Sequence, residues 1–177
     1  MKRIIIAVLL LLPTSLLADT VWSPSLSLSV EYEGSHIEEH EEENAIWSTA
    51  RTAIGISPLS MTINEKHTLS LPMELAYTAD SSVHGRLMMP GYFSALLALR
   101  YGYHVSRDVE IAISLDTVLQ WHNRQNALSW RFGMSTYLTW YPFTNLGLSI
   151  PLSASWSPGV LHFNSGLILV FNIRSIQ

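Results

Sequence analysis

The residues able to do chemistry fall into two groups. The first is the run His36-Ile37-Glu38-Glu39-His40-Glu41-Glu42-Glu43. Two histidines four residues apart among carboxylates offer nitrogen and oxygen ligands to a divalent cation. Asp80, His84 and His122 fall in other predicted loops on the same side and could complete such a site. No spacing here is diagnostic of a metal, and flexible carboxylates hold hard cations weakly. We therefore read the run as solvated loop charge, with His36 and His40 as the candidate ligands, and expect no metal and no cofactor. The second group consists of single polar residues set into otherwise apolar runs: Glu31, Arg51, Glu74, Arg100, His104, Glu110, Asp116 and Arg131. These are candidates for a charge network, provided one surface gathers them.

The elements that must position them are strands. Apolar and small or polar residues alternate along Trp22–Tyr32, Ile46–Ile56, Thr68–Ala79, Gly91–Val105, Val109–Trp121, Ala127–Tyr141, Leu146–Trp156 and Val160–Ile173. A period of 2 held this long means strands with two distinct faces. Every residue of the second group lies on the polar face. Turn chemistry separates the runs: Ser106-Arg107-Asp108, Pro142-Phe143-Thr144-Asn145 and Ser157-Pro158-Gly159. Gly34–Asn44 and Asp80–Pro90 read as loops, and Pro58 as a bulge beyond which Met61 and Ile63 extend the second strand. Several runs match the ~9–11 tilted residues that cross a bilayer as barrel strands. The fold class expected is all-β: an eight-stranded antiparallel up-and-down transmembrane β-barrel. An even strand count puts both chain ends on one side.

Composition supports that reading. Lys2-Arg3, the apolar run Ile4–Leu12 and the stretch ending at Ala18 have the three-part form of a secretory signal peptide. Residues 1–18 are expected to be removed after Sec-type export, leaving a barrel domain at 19–177. There are no cysteines, which excludes disulfides and thiolate metal sites. The expected mature chain carries 8 basic against 14 acidic residues, six of the acids between Glu33 and Glu43. It therefore has no basic patch for nucleic acid. Without a second apolar helix, a closed sheet is its only route into a membrane.

Alternation alone does not say which face points outward. The positions of the aromatics on the apolar face do. Trp22, Tyr101, Tyr103, Trp140 and Phe171 lie toward the end that holds the termini. Tyr32, Tyr77, Phe93, Trp121, Trp130, Trp156 and Phe163 lie toward the other. Two aromatic girdles with aliphatics between them are the mark of a lipid-facing surface. The polar face is mostly Ser, Thr, Gly and Ala, whereas a water-exposed exterior carries ~25–35% charged residues. Small residues suit a narrow lumen. Confined charges should pair. A three-residue turn at Ser106–Asp108 sets His104 against Glu110. Pairing Ile56 with Leu69 sets Arg51 against Glu74. Asp116 and Arg131 come from neighbouring strands at similar height, with Arg100 in diagonal reach of Asp116.

A barrel of this length with an Arg/Glu-lined interior resembles the small outer-membrane barrels typified by OmpX and the transmembrane part of OmpA, and by size and topology the OmpW family. The resemblance covers the whole expected mature chain and is architectural. It implies residence in the outer membrane of a diderm bacterium, contact with membrane lipid and with the barrel-insertion machinery, and a monomer. Such barrels commonly end on an aromatic; here Phe171 stands six residues before the end. Two enzymatic barrels invite comparison. One resembling PagP would use His36 or His40 with Asp80 and Ser81, but it needs an apolar lumen. One resembling PagL needs His and Ser two apart, and His162 is followed at that spacing by Asn164. The expected function is therefore non-enzymatic: a cell-envelope barrel with a narrow or salt-bridge-plugged polar lumen and surface-exposed loops. The alternatives are a porin-like passive route for small solutes, hydrophobic ones included, and a lipid-modifying enzyme.

Overall fold

The structure is a computed structural model that describes residues 20–37, 47–83, 86–122 and 127–173. Eight long strands form the wall: β1 (Ser25–Ile37), β2 (Trp47–Ile63), β3 (His67–Thr78), β4 (Tyr92–His104), β5 (Val109–His122), β6 (Ala127–Phe143), β7 (Leu146–Ser157) and β8 (Val160–Asn172). Each pairs antiparallel with its sequence neighbours, and β8 pairs with β1 to close the sheet. Closure leaves no free edge, so every strand finds backbone partners on both sides. Among the described residues there is no helix long and apolar enough to cross a membrane.

Local chemistry explains the corners. Asn64 and Glu65 both have positive φ, 52° and 56°, and Lys66 N–H donates to the Ile63 carbonyl at 3.2 Å. This is the mirror-image turn whose twist matches that of a hairpin. Ser106 Oγ accepts from the Asp108 amide at 3.3 Å, and Val105 N–H reaches the Val109 carbonyl at 2.9 Å. Gly159, at φ 77°, turns β7 into β8. The register shifts between Ile56 and Leu59, where the Pro58 bulge was expected.

Three details differ from the sequence reading. The first strand is broken at Ser23–Pro24: Thr20–Trp22 forms a short separate strand on the end of β2, and β1 runs on to Ile37. Loop 79–91 holds a small hairpin, Ser81–Val83 with Arg86–Met89. Ile56 pairs with Met73, not Leu69, because the β2–β3 turn lies at Asn64–Glu65, later than the midpoint inferred from the sequence.

The two faces separate as the alternation requires. Leu28, Leu75, Leu97, Leu115, Leu138 and Leu152 are about half exposed or more on the outside. Ser29, Ala53, Ala76, Ala98, Ala112, Ser114, Ser135 and Ser149 are buried inside. An apolar band around the whole wall is far larger than the few hundred Å² that soluble monomers expose. The structure is a transmembrane-type barrel with its apolar face outward.

Candidate functional site

Among the described residues, the lumen is where the fold gathers chemically capable side chains from all eight strands. Its charges form three levels. Nearest the loop end, Glu33 is fully buried on β1. It accepts from Arg131 Nη1 on β6 at 2.7 Å, from Thr78 Oγ1 on β3 at 3.5 Å and from the Tyr92 hydroxyl on β4. His162 Nδ1 on β8 stands 3.1 Å from the same carboxylate. The imidazole is also held between Ser35 at 2.9 Å and Ser157 at 3.3 Å. A buried carboxylate met by four donors from four strands ties those strands together.

At the middle level Arg51 bridges two carboxylates. Nη1 donates to Glu31 at 2.8 Å, and Nη2 donates to Glu74. Glu31 lies directly across the β1–β2 ladder from Arg51. Glu74 lies opposite Gly55, four residues along β2, so the long guanidinium spans the offset. Asp116 accepts from Ser114 at 2.6 Å and from Ser135. The sequence reading set Asp116 beside Arg131 and Arg100; instead Arg131 turns to Glu33, and Arg100 turns the other way.

The lowest level, toward the chain termini, is looser. Arg100 Nη2 stands 3.7 Å from Glu110 Oε1 and donates to Thr139 Oγ1 at 3.4 Å. Its guanidinium lies over the Tyr137 ring, 4.4 Å from the centroid. Tyr141 donates to Glu110 at 2.8 Å. His104 faces Glu110 across the β4–β5 ladder; its Nε2 meets Thr68 at 3.2 Å and its ring lies 6.2 Å from that of Tyr141.

The free space follows these levels. A cavity of about 500 Å³ opens at the terminus end, lined by His104, Glu110, Tyr141 and Phe143 among others. Above it, a space of about 100 Å³ reaches Arg100, Pro72 and Tyr137. Among Glu31, Arg51, Glu74, Asp116 and Arg131 it shrinks to about 40 Å³. None of these three spaces is lined by Glu33, Tyr92 or His162.

Sequence reasoning missed two residues central to the upper level. Glu33 was counted with the acidic loop, yet it shares parity with Ser29, Glu31 and Ser35, and that parity was the available signal. Tyr92 is an inward, fully buried tyrosine at the start of β4, where the reading began its alternation with Phe93. Eleven of the twelve girdle aromatics are exposed on the outer wall, from Tyr32 at 69% to Phe171 at 40%. Phe143 is also exposed, but at the mouth of the terminus-end cavity that it helps to line. The twelfth, Trp22, and His36 belong to strands, but their side chains lie outside the described part; His40 lies outside the described residues altogether. Among the described residues no cluster of three His, Asp or Glu has the geometry of a metal site.

The fold and its lumen define a class: small eight-stranded barrels of the transmembrane kind, with the architecture of OmpX and of the membrane part of OmpA. No protein-family model matches the chain, and no curated protein matches it. Solved structures do. Ail, the attachment invasion locus protein of Yersinia pestis, aligns with a TM-score of 0.55 at 9% identity, over 86% of this chain and 99% of that one. Neisserial surface protein A aligns with a TM-score of 0.58 at 8% identity, over 85% and 97%. A de novo designed transmembrane β-barrel aligns at 0.50 and 12% identity, over 85% and 95%. At such identities the likeness is one of fold.

Proposed function

We propose that this chain is an integral protein of the outer membrane of a diderm bacterium, exported through a signal peptide at residues 1–18 and inserted as a monomeric barrel at 19–177. Its role is non-enzymatic: the lumen is plugged and the loops are presented outside. The aromatic belts face lipid, and chain termini and tight turns face the periplasm. The observation that carries the plug is the narrowing of the lumen to about 40 Å³ among five charged side chains, below a level closed by Glu33 and Arg131. Eight strands leave little more than side-chain volume inside, so paired charges take the place of a core.

Two features bear on the competing readings. Ser157, His162 and Glu33 line up as hydroxyl, imidazole and carboxylate. That order suits a nucleophile and its base, but Glu33 is already held by Arg131 and Tyr92, and all three residues are buried away from the lumen cavities. We read the trio as part of the plug. Ail has been solved in complex with the heparin analogue sucrose octasulfate. Here five acids between Glu38 and Glu43 would repel a sulfated polyanion from that loop, so we do not extend that ligand to this chain.

Planar-bilayer recording tests the plug. The wild-type protein should show no steady single-channel steps, and Arg131→Ala should introduce them. Steady steps from wild type would favour the passive route for small solutes. A change in membrane acyl composition on expression would revive the enzyme. The barrel assignment itself is tested on a gel: the folded chain should need detergent and should migrate differently before and after heating.

A further inference from the structure

His67 breaks a rule that the rest of the outer wall obeys. Outward strand positions with described side chains are aliphatic, aromatic, Met, Ser, Thr, Ala, Gly or Pro; among them His67 alone is an ionisable base, and none is Lys, Arg, Asp or Glu. It sits on the first residue of β3, one step from the Asn64–Lys66 turn and opposite Tyr103. That is the height of the terminus-end girdle. A lone imidazole facing hydrocarbon is unfavourable unless both ring nitrogens find polar company. One does: Nδ1 lies 2.7 Å from the Tyr101 hydroxyl. The ring is stacked on Tyr101, with centroids 6.0 Å apart, and tilted against Tyr103 at 5.4 Å. The two tyrosines thus fix the imidazole plane.

We infer that His67, Tyr101 and Tyr103 form a headgroup site for one phospholipid of the periplasmic leaflet, with His67 Nε2–H donating to the phosphodiester. When Tyr101 donates to Nδ1, the ring proton sits on Nε2, for which no partner is found among the described residues. A phosphate oxygen is the acceptor that the headgroup layer supplies, and it forms charge-assisted bonds. Lys66 and Arg107, on the two neighbouring turns at the same rim, add positive charge; Glu65 and Asp108 on those turns partly offset it. The tyrosine rings flank the upper acyl chains, as aromatic side chains do at membrane interfaces. The inference rests on the membrane reading above and adds a fixed lipid to it.

The test is lipid retention by the detergent-purified chain in native mass spectrometry. The probes are phosphatidylglycerol, phosphatidylcholine and diacylglycerol with identical acyl chains. Wild type should hold one copy of either phospholipid, and diacylglycerol should be held about tenfold more weakly, as loss of a charge-assisted hydrogen bond implies. His67→Ala and Tyr101→Phe should bring the phospholipids down to the diacylglycerol level. His67→Gln, which keeps an N–H donor, should recover part of the retention. Trp140→Phe, at the same end on another strand, should leave it unchanged. Equal retention by wild type and His67→Ala, or of diacylglycerol and phospholipid, would overturn the site. Heat-modifiable mobility of each variant separates that outcome from failure of the barrel reading: a folded barrel without the lipid sinks only the site, whereas a chain soluble without detergent sinks both.

Discussion

The two ends of the lumen use the same residue types to different effect. At the loop end Arg131 and Glu33 are 1% and 0% exposed, 2.7 Å apart, and roofed by Tyr92 and His162. At the terminus end Glu110 is as buried, at 2%, but Arg100 is partly exposed and stands 3.7 Å away, and the carboxylate borders a cavity of about 500 Å³. The first pair has given up water and must be satisfied by protein alone. The second is a longer contact with one partner partly exposed and a cavity beside the other. An ion pair's worth depends on what replaces its hydration, so one pair acts as a lock between strands and the other as a lining.

Breaking each pair should expose that difference most clearly. Arg131→Ala leaves Glu33 buried without its cation and should lower unfolding stability by about 3–5 kcal/mol. Arg100→Ala should lower it less, by about 1–2 kcal/mol, because the 3.7 Å contact is long and Tyr141 still donates to Glu110. Urea unfolding in lipid vesicles, followed by tryptophan fluorescence, compares the two; equal losses would erase the distinction. Next come the tyrosines. Tyr92→Phe removes a buried donor to Glu33 and should cost about 1.5–3 kcal/mol, whereas Tyr141→Phe, at the cavity wall, should cost about 1 kcal/mol by the same measurement.

Glycine substitutions sharpen the contrast further. A Cβ at Gly166 would run into the Val30 carbonyl and the Glu31 backbone, at the seam where β8 meets β1. Neither can move without the wall moving, so Gly166→Ala should destabilise by about 1–3 kcal/mol. A Cβ at Gly102 meets the Glu110 side chain, which has the cavity to swing into. Its loss should stay near the ~1 kcal/mol of a single hydrogen bond. The smallest effect is expected at the turn. Glu65 adopts φ 56°, a conformation glycine takes freely. Glu65→Gly should raise unfolding stability, by about 1 kcal/mol at most.

Most of the fold was legible because strand alternation is local. Each of the eight runs carries its own inward and outward sets, and aromatic height supplied the direction. The failures were of register and membership. Pairing Ile56 with Leu69 assumed a turn centred between them, whereas Asn64–Glu65 makes the turn and Ile56 meets Met73. Glu33 looked like loop because it begins an acidic stretch, although its parity matches that of Glu31. Arg51 does reach Glu74, but by side-chain length across an offset, not by standing opposite it.

By itself, then, the sequence determined which side chains enter the lumen and which face outward, because a period of 2 commits each residue to one face wherever the strand ends up. Only the tertiary structure decided who meets whom inside. Arg131 on β6, Tyr92 on β4, His162 on β8 and Glu33 on β1 come together because the closed, tilted wall brings distant strands to one height. That height depends on the summed register of every hairpin around the barrel, a quantity that no single stretch of chain contains.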